Sequence, residues 1–377
     1  MKTLSHRIGV LLNNKNIAIF AASSVFLPYV FTAIILVILA IYVLVVKEKR
    51  QMIFVHPGSK ILLIFFAFIL IIPCIYQNWI GVVVGIAVFL ATMLALFLRS
   101  TMTSALYEKI LTLICILSLT GTSCAISEKF IIPLFYESYR TNRASAAFFY
   151  PNYFGTIIGT VIIICAYKVL TRQGPKWFYY MIAFMNVISM YLCQSMFAWV
   201  EVFLGVAVLL VILKKHQLLS LWLFCAAIGV FTIFVLDINI IPRLDDAGLT
   251  TLLRFKIWKG AITQIEKTPL LGHGFMSYLY ITKDYKNVIP HAHSIYLDSV
   301  MNFGVIGVLL LINYFVHYYK SVIKTCFSEK KTAITSLIIA VTIVALVHGM
   351  TDVTLLWIQT LPLFFFVLAG YGSYEKK

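Results

Sequence analysis

Apolar runs of about 20 residues recur along the whole 377-residue chain, and they constrain its fold more than any other feature. A helix needs roughly that length to cross the hydrocarbon core of a bilayer. A transmembrane β-barrel would instead show alternating segments of about ten residues. Only 12% of the residues are charged, against about 25% in an average soluble domain. The sequence therefore predicts an all-α, polytopic transmembrane protein.

The apolar run from 16 to 46 is either one long helix or two short ones. Pro28 lies near its middle, where a helix break is favoured. Two crossings place the basic segment 47–50 on the same side as the basic amino terminus, as the positive-inside rule requires. We therefore predict two spans here. The remaining spans of a predicted total of about twelve lie near 60–77, 80–98, 110–126, 151–170, 177–194, 196–213, 217–237, 294–319, 333–350 and 353–371.

The formal net charge of +16 fits this topology better than it fits nucleic-acid binding. Most lysines and arginines lie in short loops that the layout places in the cytoplasm, together with both termini. The other cations lie in two outer loops, 127–150 and 238–292. They indicate an anionic ligand outside the cytoplasmic membrane, unless long translocated loops simply escape the rule. The predicted organisation is a transmembrane region 1–237, a large extracytoplasmic loop 238–292 and a transmembrane region 293–377.

Several classes of protein are disfavoured by what the sequence lacks. No internal repeat is evident, and Glu201 is the main acidic residue inside a span, which weakens a coupled-transporter interpretation. No P-loop, dinucleotide-binding or HExxH pattern occurs. The seven cysteines include no C-x-x-C pair, so neither a zinc site nor a disulfide framework is predicted.

The first outer loop ends in a basic segment followed by Pro151-Asn152. Arg140 and Arg143 are spaced i, i+3, and Pro151 suits the first turn of the next span. Two guanidinium groups near a helix start can clamp a phosphate. The alternative is that both arginines only extend their charge to the membrane interface.

The second outer loop predicts an amphipathic helix over 252–267, capped by Thr250 or Thr251. Arg254 and Trp258 share one face of it by i, i+4 spacing. They can bind an anionic headgroup and stack on a sugar, or they can anchor the helix at the membrane surface.

A glycine turn follows this helix, and a polar cluster lies near the end of the chain. Gly272 and Gly274 form a weak candidate for a phosphate-binding loop. His348 and Asp352 lie at a predicted outer turn. They either line the same cavity as the arginines or cap helices.

The pair His291 and His293 lies directly before the span that starts near Ser294. A helix amino terminus favours anions and disfavours an imidazolium ion. A neutral histidine beside anion-binding groups suits a general base next to a phosphate leaving group. H-x-H can also bind a metal ion, but no third ligand is evident in the sequence, so no metal is predicted.

The order of these features resembles the O-antigen ligase and O-antigen polymerase superfamily of bacterial membrane glycosyltransferases. The matching segments are 143–152, Arg254 with Trp258 and 269–274, 293–307 and, more weakly, 348–352, within a similarity over about 140–371. The chain departs from the family where Met196 replaces an arginine after Ser195. It departs again where Ser294 replaces a common asparagine and Ala146 a common glycine.

The resemblance implies a GT-C-like fold and transfer of a glycan from undecaprenyl pyrophosphate outside the cytoplasmic membrane. It implies His293 as the general base, with His291 orienting or replacing it, and no metal, nucleotide or other cofactor. The implied substrate-binding residues are Arg140, Arg143, Asn152, Arg254, Trp258, Gly272, Gly274, His348 and Asp352.

Within that family we favour a polymerase of capsular, exopolysaccharide or O-antigen repeat units. A ligase that moves finished glycan onto a lipid A core or a protein is the alternative. A lipid-linked glycan flippase is the candidate from another class. The expected partners are the lipid-linked glycan, the bilayer, and a chain-length regulator and flippase of the same pathway.

Overall fold

The structure, a computed structural model, describes residues 12–55, 58–136, 141–281, 290–326 and 332–375. Within these ranges the chain forms helices and no β-strand. The helices of seven residues or more are α1 (Asn14–Ser24), α2 (Tyr29–Val45), α3 (Lys47–Ile53), α4 (Ser59–Ile75), α5 (Trp79–Thr101), α6 (Ser104–Ile126), α7 (Pro151–Leu170), α8 (Lys176–Cys193), α9 (Met196–Ile212), α10 (His216–Phe234), α11 (Ala247–Lys267), α12 (Ile295–Cys326), α13 (Thr332–His348) and α14 (Thr360–Ala369).

The prediction of a polytopic helical membrane protein is confirmed. In the described ranges, five helical segments are long and apolar enough to cross a bilayer, and six if α2 and α3, bent by 100°, form one broken span. The five are α5, α6 with its continuation to Phe135, α7, α10 and α12. A helix overlaps each of the twelve predicted spans. Twelve crossings of the membrane remain a prediction.

The break predicted near Pro28 separates α1 from α2. Pro28 is the residue before α2, where its missing N–H costs no helical hydrogen bond. The Thr32 hydroxyl donates to the Ser24 carbonyl at 2.6 Å and closes the corner. The 16–46 run therefore forms two helices.

Helix α7 lies at the centre of the bundle. Most of its residues are buried, whereas α10 has no buried residue. Apolar side chains exposed along a spanning helix face lipid, which is as apolar as they are. The residues at the start of α7 therefore rest on the most enclosed of the five long apolar helices.

Helix α11 begins earlier than its sequence predicts. It runs over Ala247–Lys267, and its end matches the predicted end at 267. Thr250 and Thr251 do not cap it, because both hydroxyls bond back to the carbonyl of Ala247 inside the helix. A threonine can satisfy either pattern, so the start of this helix was ambiguous in the sequence.

Helix α12 is interrupted at Gly304, where the backbone adopts a left-handed φ of 59°. The turn after α11 packs into this break: Val305 N–H donates to the Pro269 carbonyl at 2.9 Å, and Gly274 N–H donates to the Asn302 carbonyl at 2.7 Å. A Cβ on Gly304 would lie 2.2 Å from the Leu270 carbonyl oxygen. Only glycine satisfies both the φ and the approach, and the break locks the loop onto the start of α12.

Candidate active site

A chain of hydrogen bonds joins three segments that are far apart in sequence. The Arg143 guanidinium donates from Nη2 to Asn152 Oδ1 at 2.6 Å. Asn152 Nδ2 donates to Asp352 Oδ2 at 3.0 Å. His293 Nδ1 lies 3.1 Å from Asp352 Oδ1. The outer-loop arginine, the α7 asparagine, the histidine before α12 and the turn after α13 thus form one cluster.

Local sequence explains how these segments meet. Pro151 occupies the first turn of α7 and so places Asn152 at the mouth of that helix. Ile295 N–H donates to the Gly349 carbonyl at 2.7 Å, which ties the start of α12 to the end of α13. A Cβ on Gly349 would lie 2.4 Å from a methyl carbon of Ile295. The small residue after α13 therefore permits the contact that brings Asp352 to His293.

Asp352 is buried, and both of its oxygens accept hydrogen bonds. Burial is the largest single influence and raises the pKa of this carboxyl, but the hydrogen bond from His293 and the charges of the nearby histidines outweigh it. The net effect lowers the pKa of Asp352. An ionised carboxylate accepts a proton-bearing Nδ1, so the bonding pattern assigns the proton to Nδ1 of His293 and leaves its Nε2 lone pair free.

His291 has the opposite tautomer. The His293 backbone N–H donates to His291 Nδ1 at 3.3 Å, so the ring proton of a neutral His291 lies on Nε2. Burial, followed by the charge of His293, lowers the pKa of His291 to about 4. His291 is therefore a neutral hydrogen-bond donor near pH 7, beside a His293 that can accept a proton.

The backbone at His293 is held in an unfavourable conformation. Its φ of 47° lies in the left-handed region, which costs energy for a residue with a Cβ. Trp258 Nε1 donates to the His293 carbonyl at 3.3 Å, and the Asp298 carboxylate accepts from Ala292 N–H at 2.9 Å. These contacts fix the histidine turn. Trp258, predicted to stack on a sugar, uses its indole N–H to position the candidate base.

A cavity of about 110 Å³ lies beside this cluster. Three arginines line it, Arg143, Arg243 and Arg254, together with His348. Burial, and then the like charge of Arg243, lowers the pKa of Arg143, and burial lowers the pKa of Arg254. Guanidinium groups still stay protonated in proteins. Like charges that converge on one cavity are stabilised by an anion, so the cavity has the electrostatics of an anion site.

Arg243 is the cavity arginine that the motif analysis missed. It lies in the loop before α11, with a left-handed φ of 65°, and its Nε bonds Asp246 Oδ2 at 2.9 Å. No sequence motif surrounds Arg243. Only its position among the cations of the predicted outer loop 238–292 indicated a functional residue.

Comparison with known families matches residues 178–312 to the family model of O-antigen ligase. This part of the chain is similar to the O-antigen ligase family. The match confirms the resemblance and covers Arg254, Trp258, His291 and His293. No curated protein sequence matches the chain significantly. Arg143, Asn152 and Asp352 lie outside the matched range, and the hydrogen bonds described above connect them to His293 within it.

The structure also bears on the departure from the O-antigen ligase pattern at Ser195-Met196. Arg143 Nε donates to the Cys193 carbonyl at 3.1 Å, at the turn between α8 and α9. Its guanidinium therefore lies beside the turn that lacks the usual arginine. Arg143 therefore places a positive charge beside this turn.

Gly272 and Gly274 have a packing role rather than a place in the arginine cavity. Gly272 N–H bonds Thr268 and Gly274 N–H bonds Asn302. A Cβ on Gly272 would lie 2.5 Å from the Asn302 carbonyl oxygen. Their N–H groups are engaged by protein, so the predicted phosphate contact is replaced by docking of the turn onto α12. Arg140, another predicted substrate ligand, lies outside the described residues.

His291, His293 and Asp352 are also grouped closely enough to hold a metal ion, with one potential ligand atom of each within 4.8 Å of the others. Asp298, in the first turn of α12, accepts hydrogen bonds from Ala292 N–H and Asn302 Nδ2. Hydrogen bonds already engage both oxygens of Asp352 and Nδ1 of His293. This arrangement favours proton transfer, and the absence of a metal remains a prediction.

Proposed function

We propose that the protein is an extracytoplasmic polysaccharide polymerase that joins undecaprenyl-pyrophosphate-linked repeat units. The observation that carries the proposal is the Asp352–His293 pair placed next to the cavity of Arg143, Arg243 and Arg254. A base and an anion site side by side are what glycosyl transfer from a pyrophosphate requires, because one group activates the acceptor and the other binds the leaving group.

In the proposed reaction, the acceptor hydroxyl gives its proton to Nε2 of His293 as its oxygen attacks the anomeric carbon. The bond between that carbon and the pyrophosphate oxygen breaks, and the oxygen keeps the electron pair. The arginines neutralise the charge that grows on the leaving group. Asp352 orients His293 and stabilises the imidazolium, as the carboxylate does in a Ser-His-Asp triad. His291 donates from Nε2 to the substrate.

A ligase is the second candidate, since donor chemistry is the same and only the acceptor differs. The O-antigen ligase match at 178–312 favours either enzyme equally. A flippase would need neither a free Nε2 on His293 nor the carboxylate behind it.

A gel of surface glycan from a strain lacking this protein distinguishes these functions. We expect product limited to one repeat unit, because units are made and exported but not joined. Long lipid-linked chains that are not attached to an acceptor would identify a ligase instead. Accumulation of repeat units on the cytoplasmic side would identify a flippase. The wild-type gene supplied in trans is the control.

The proposed mechanism requires the cavity to face outward, with both termini in the cytoplasm. A reporter fused after Lys331 is expected to read cytoplasmic, and one inserted within 282–287 is expected to read external. The reason is the distribution of lysine and arginine between the loops. Alkaline phosphatase and a fluorescent protein, used in parallel, control for expression. The reverse pattern would place the cavity in the cytoplasm and rule out the mechanism.

A further inference from the structure

A second carboxylate–histidine pair lies behind the arginine cavity. Glu201, in the apolar helix α9, contacts His348 through Oε1 and Nδ1. Both side chains are buried, at 2% and 3% exposure. The Thr156 hydroxyl also donates to Glu201 Oε1, at 3.2 Å. The mechanism proposed above gives Glu201 no role.

The surroundings of Glu201 make its charge expensive to bury. Among the described residues, no hydrogen-bond partner reaches its second oxygen, Oε2. Gly159 of α7 leaves room for this oxygen, since a Cβ there would lie 2.9 Å from it. A buried carboxylate within a membrane helix is costly unless a cation compensates it. His348, when protonated, supplies that cation.

The same histidine borders the anion site. His348 lines the cavity together with Arg143 and Arg254. Its ring stacks on Phe197 with centroids 5.1 Å apart and planes inclined by 7°. The Arg254 guanidinium carbon lies 5.8 Å from the centre of the Phe197 ring. The side chains of Arg254, Phe197, His348 and Glu201 therefore contact one another in that order. This row of side chains connects the buried Glu201 to the cavity wall.

We propose that Glu201 holds His348 as an imidazolium, which binds the departing pyrophosphate from the cavity wall. This role rests on the proposed function, and it gives the two carboxylate–histidine pairs different tasks in the reaction. His293, with Asp352, is the base and acts when neutral. His348, with Glu201, is a cationic ligand and acts when protonated. Glu201 is a positioning residue, because it acts through His348.

The proposal predicts that the rate falls along an alkaline limb of the pH profile, because deprotonation of His348 removes the cation that Glu201 holds. The charged groups that face His348 are Glu201 on α9, Asp352 in the following turn and Arg254 on α11. Asp352 and Arg254 carry opposite charges and act on the His348 imidazolium in opposite directions. Removal of the Glu201 charge is therefore the change that should destabilise the imidazolium.

The test uses the full-length protein in nanodiscs, with lipid-linked glycan extracted from a strain that lacks it. Rates are measured between roughly pH 6 and 9, where imidazoles titrate. Glu201→Gln keeps an acceptor for Nδ1 but loses the charge, so the alkaline limb should move about 1–3 units to lower pH. Glu201→Asp should restore the native limb. His348→Gln should lower kcat by ~10²-fold and remove the limb.

Asn186→Ala is the matched control. Asn186 is buried in α8 and bonded to Ser118, so the change disturbs a polar contact within the bundle away from the cavity. It should leave the alkaline limb in place. A native pH profile for Glu201→Gln overturns the proposal, and so does a native kcat for His348→Gln.

If the Glu201→Gln protein fails to insert into the membrane, a second measurement still tests the proposal. Inorganic pyrophosphate is used as an inhibitor of the native protein and of His348→Gln. We expect inhibition of the native protein to weaken along the alkaline limb and inhibition of the variant to be weak throughout. Equal inhibition of both overturns the proposal. An active His293→Ala enzyme would instead overturn the proposed function itself.

Discussion

His293→Ala is expected to lower the rate of glycan transfer by ~10²–10⁴-fold, the usual cost of removing a general base. The reason is the free Nε2 of His293, which the hydrogen bond from Nδ1 to Asp352 keeps as the proton acceptor. Asp352→Asn should give a similar loss, because a neutral amide no longer fixes the tautomer or stabilises the imidazolium. Both losses should appear in kcat, measured with lipid-linked glycan in nanodiscs.

His317→Ala is the control for this prediction. His317 lies on α12, is exposed and bonds the Asn313 carbonyl within its own helix. Its removal should leave kcat unchanged. Normal long-chain polysaccharide in cells that carry His293→Ala, with the protein inserted at wild-type level, would refute the role of His293 as base.

Arg254→Ala is expected to lower kcat by ~10²–10³-fold, the range found when one donor to a developing anion is removed. Arg254 lies half-buried in the cavity, where a charge is screened less than at the surface. Arg254→Lys should recover only part of the activity, since an ammonium group cannot form the paired hydrogen bonds of a guanidinium. Release of undecaprenyl pyrophosphate is the measurement.

Lys256→Ala provides the matched control on the same helix. Lys256 is exposed and lies on another face of α11, so the change removes an equal charge from the same loop without touching the cavity. If Lys256→Ala and Arg254→Ala reduce the rate equally, the loop attracts the lipid headgroup by general electrostatics. The cavity would then not be a specific anion site.

The sequence predicted the helical class and the break at Pro28, because hydropathy and proline act locally. It also selected His293 and Arg254 through short motifs. It could not show that Asn152 bonds Asp352, because these residues are 200 positions apart and only packing of α7 against the later helices brings them together.

Other features depend on contacts that no local pattern encodes. Arg243 enters the cavity from a loop without a motif. Gly272 and Gly274 look like a phosphate loop, but they serve the packing of a turn against α12. Glu201 was visible as an unusual charge in a span, yet its partner lies 147 residues away. Sequence spacing therefore located individual residues, and tertiary packing determined which of them lie together.

The break in α12 fixes the distance between the proposed base, His293, and the arginine that binds the leaving group, Arg254. Four main-chain hydrogen bonds join the turn 269–274 to α12 around Gly304. Arg254 lies on α11, which leads into this turn, and His293 lies directly before α12. The same main-chain hydrogen bonds therefore hold both residues in place. Moving them apart would break these bonds at a cost of roughly 1 kcal/mol each. If the proposed function is correct, the lipid-linked donor must fit a gap whose width is set before the donor binds, and donors with a longer or shorter link between sugar and lipid should react slowly.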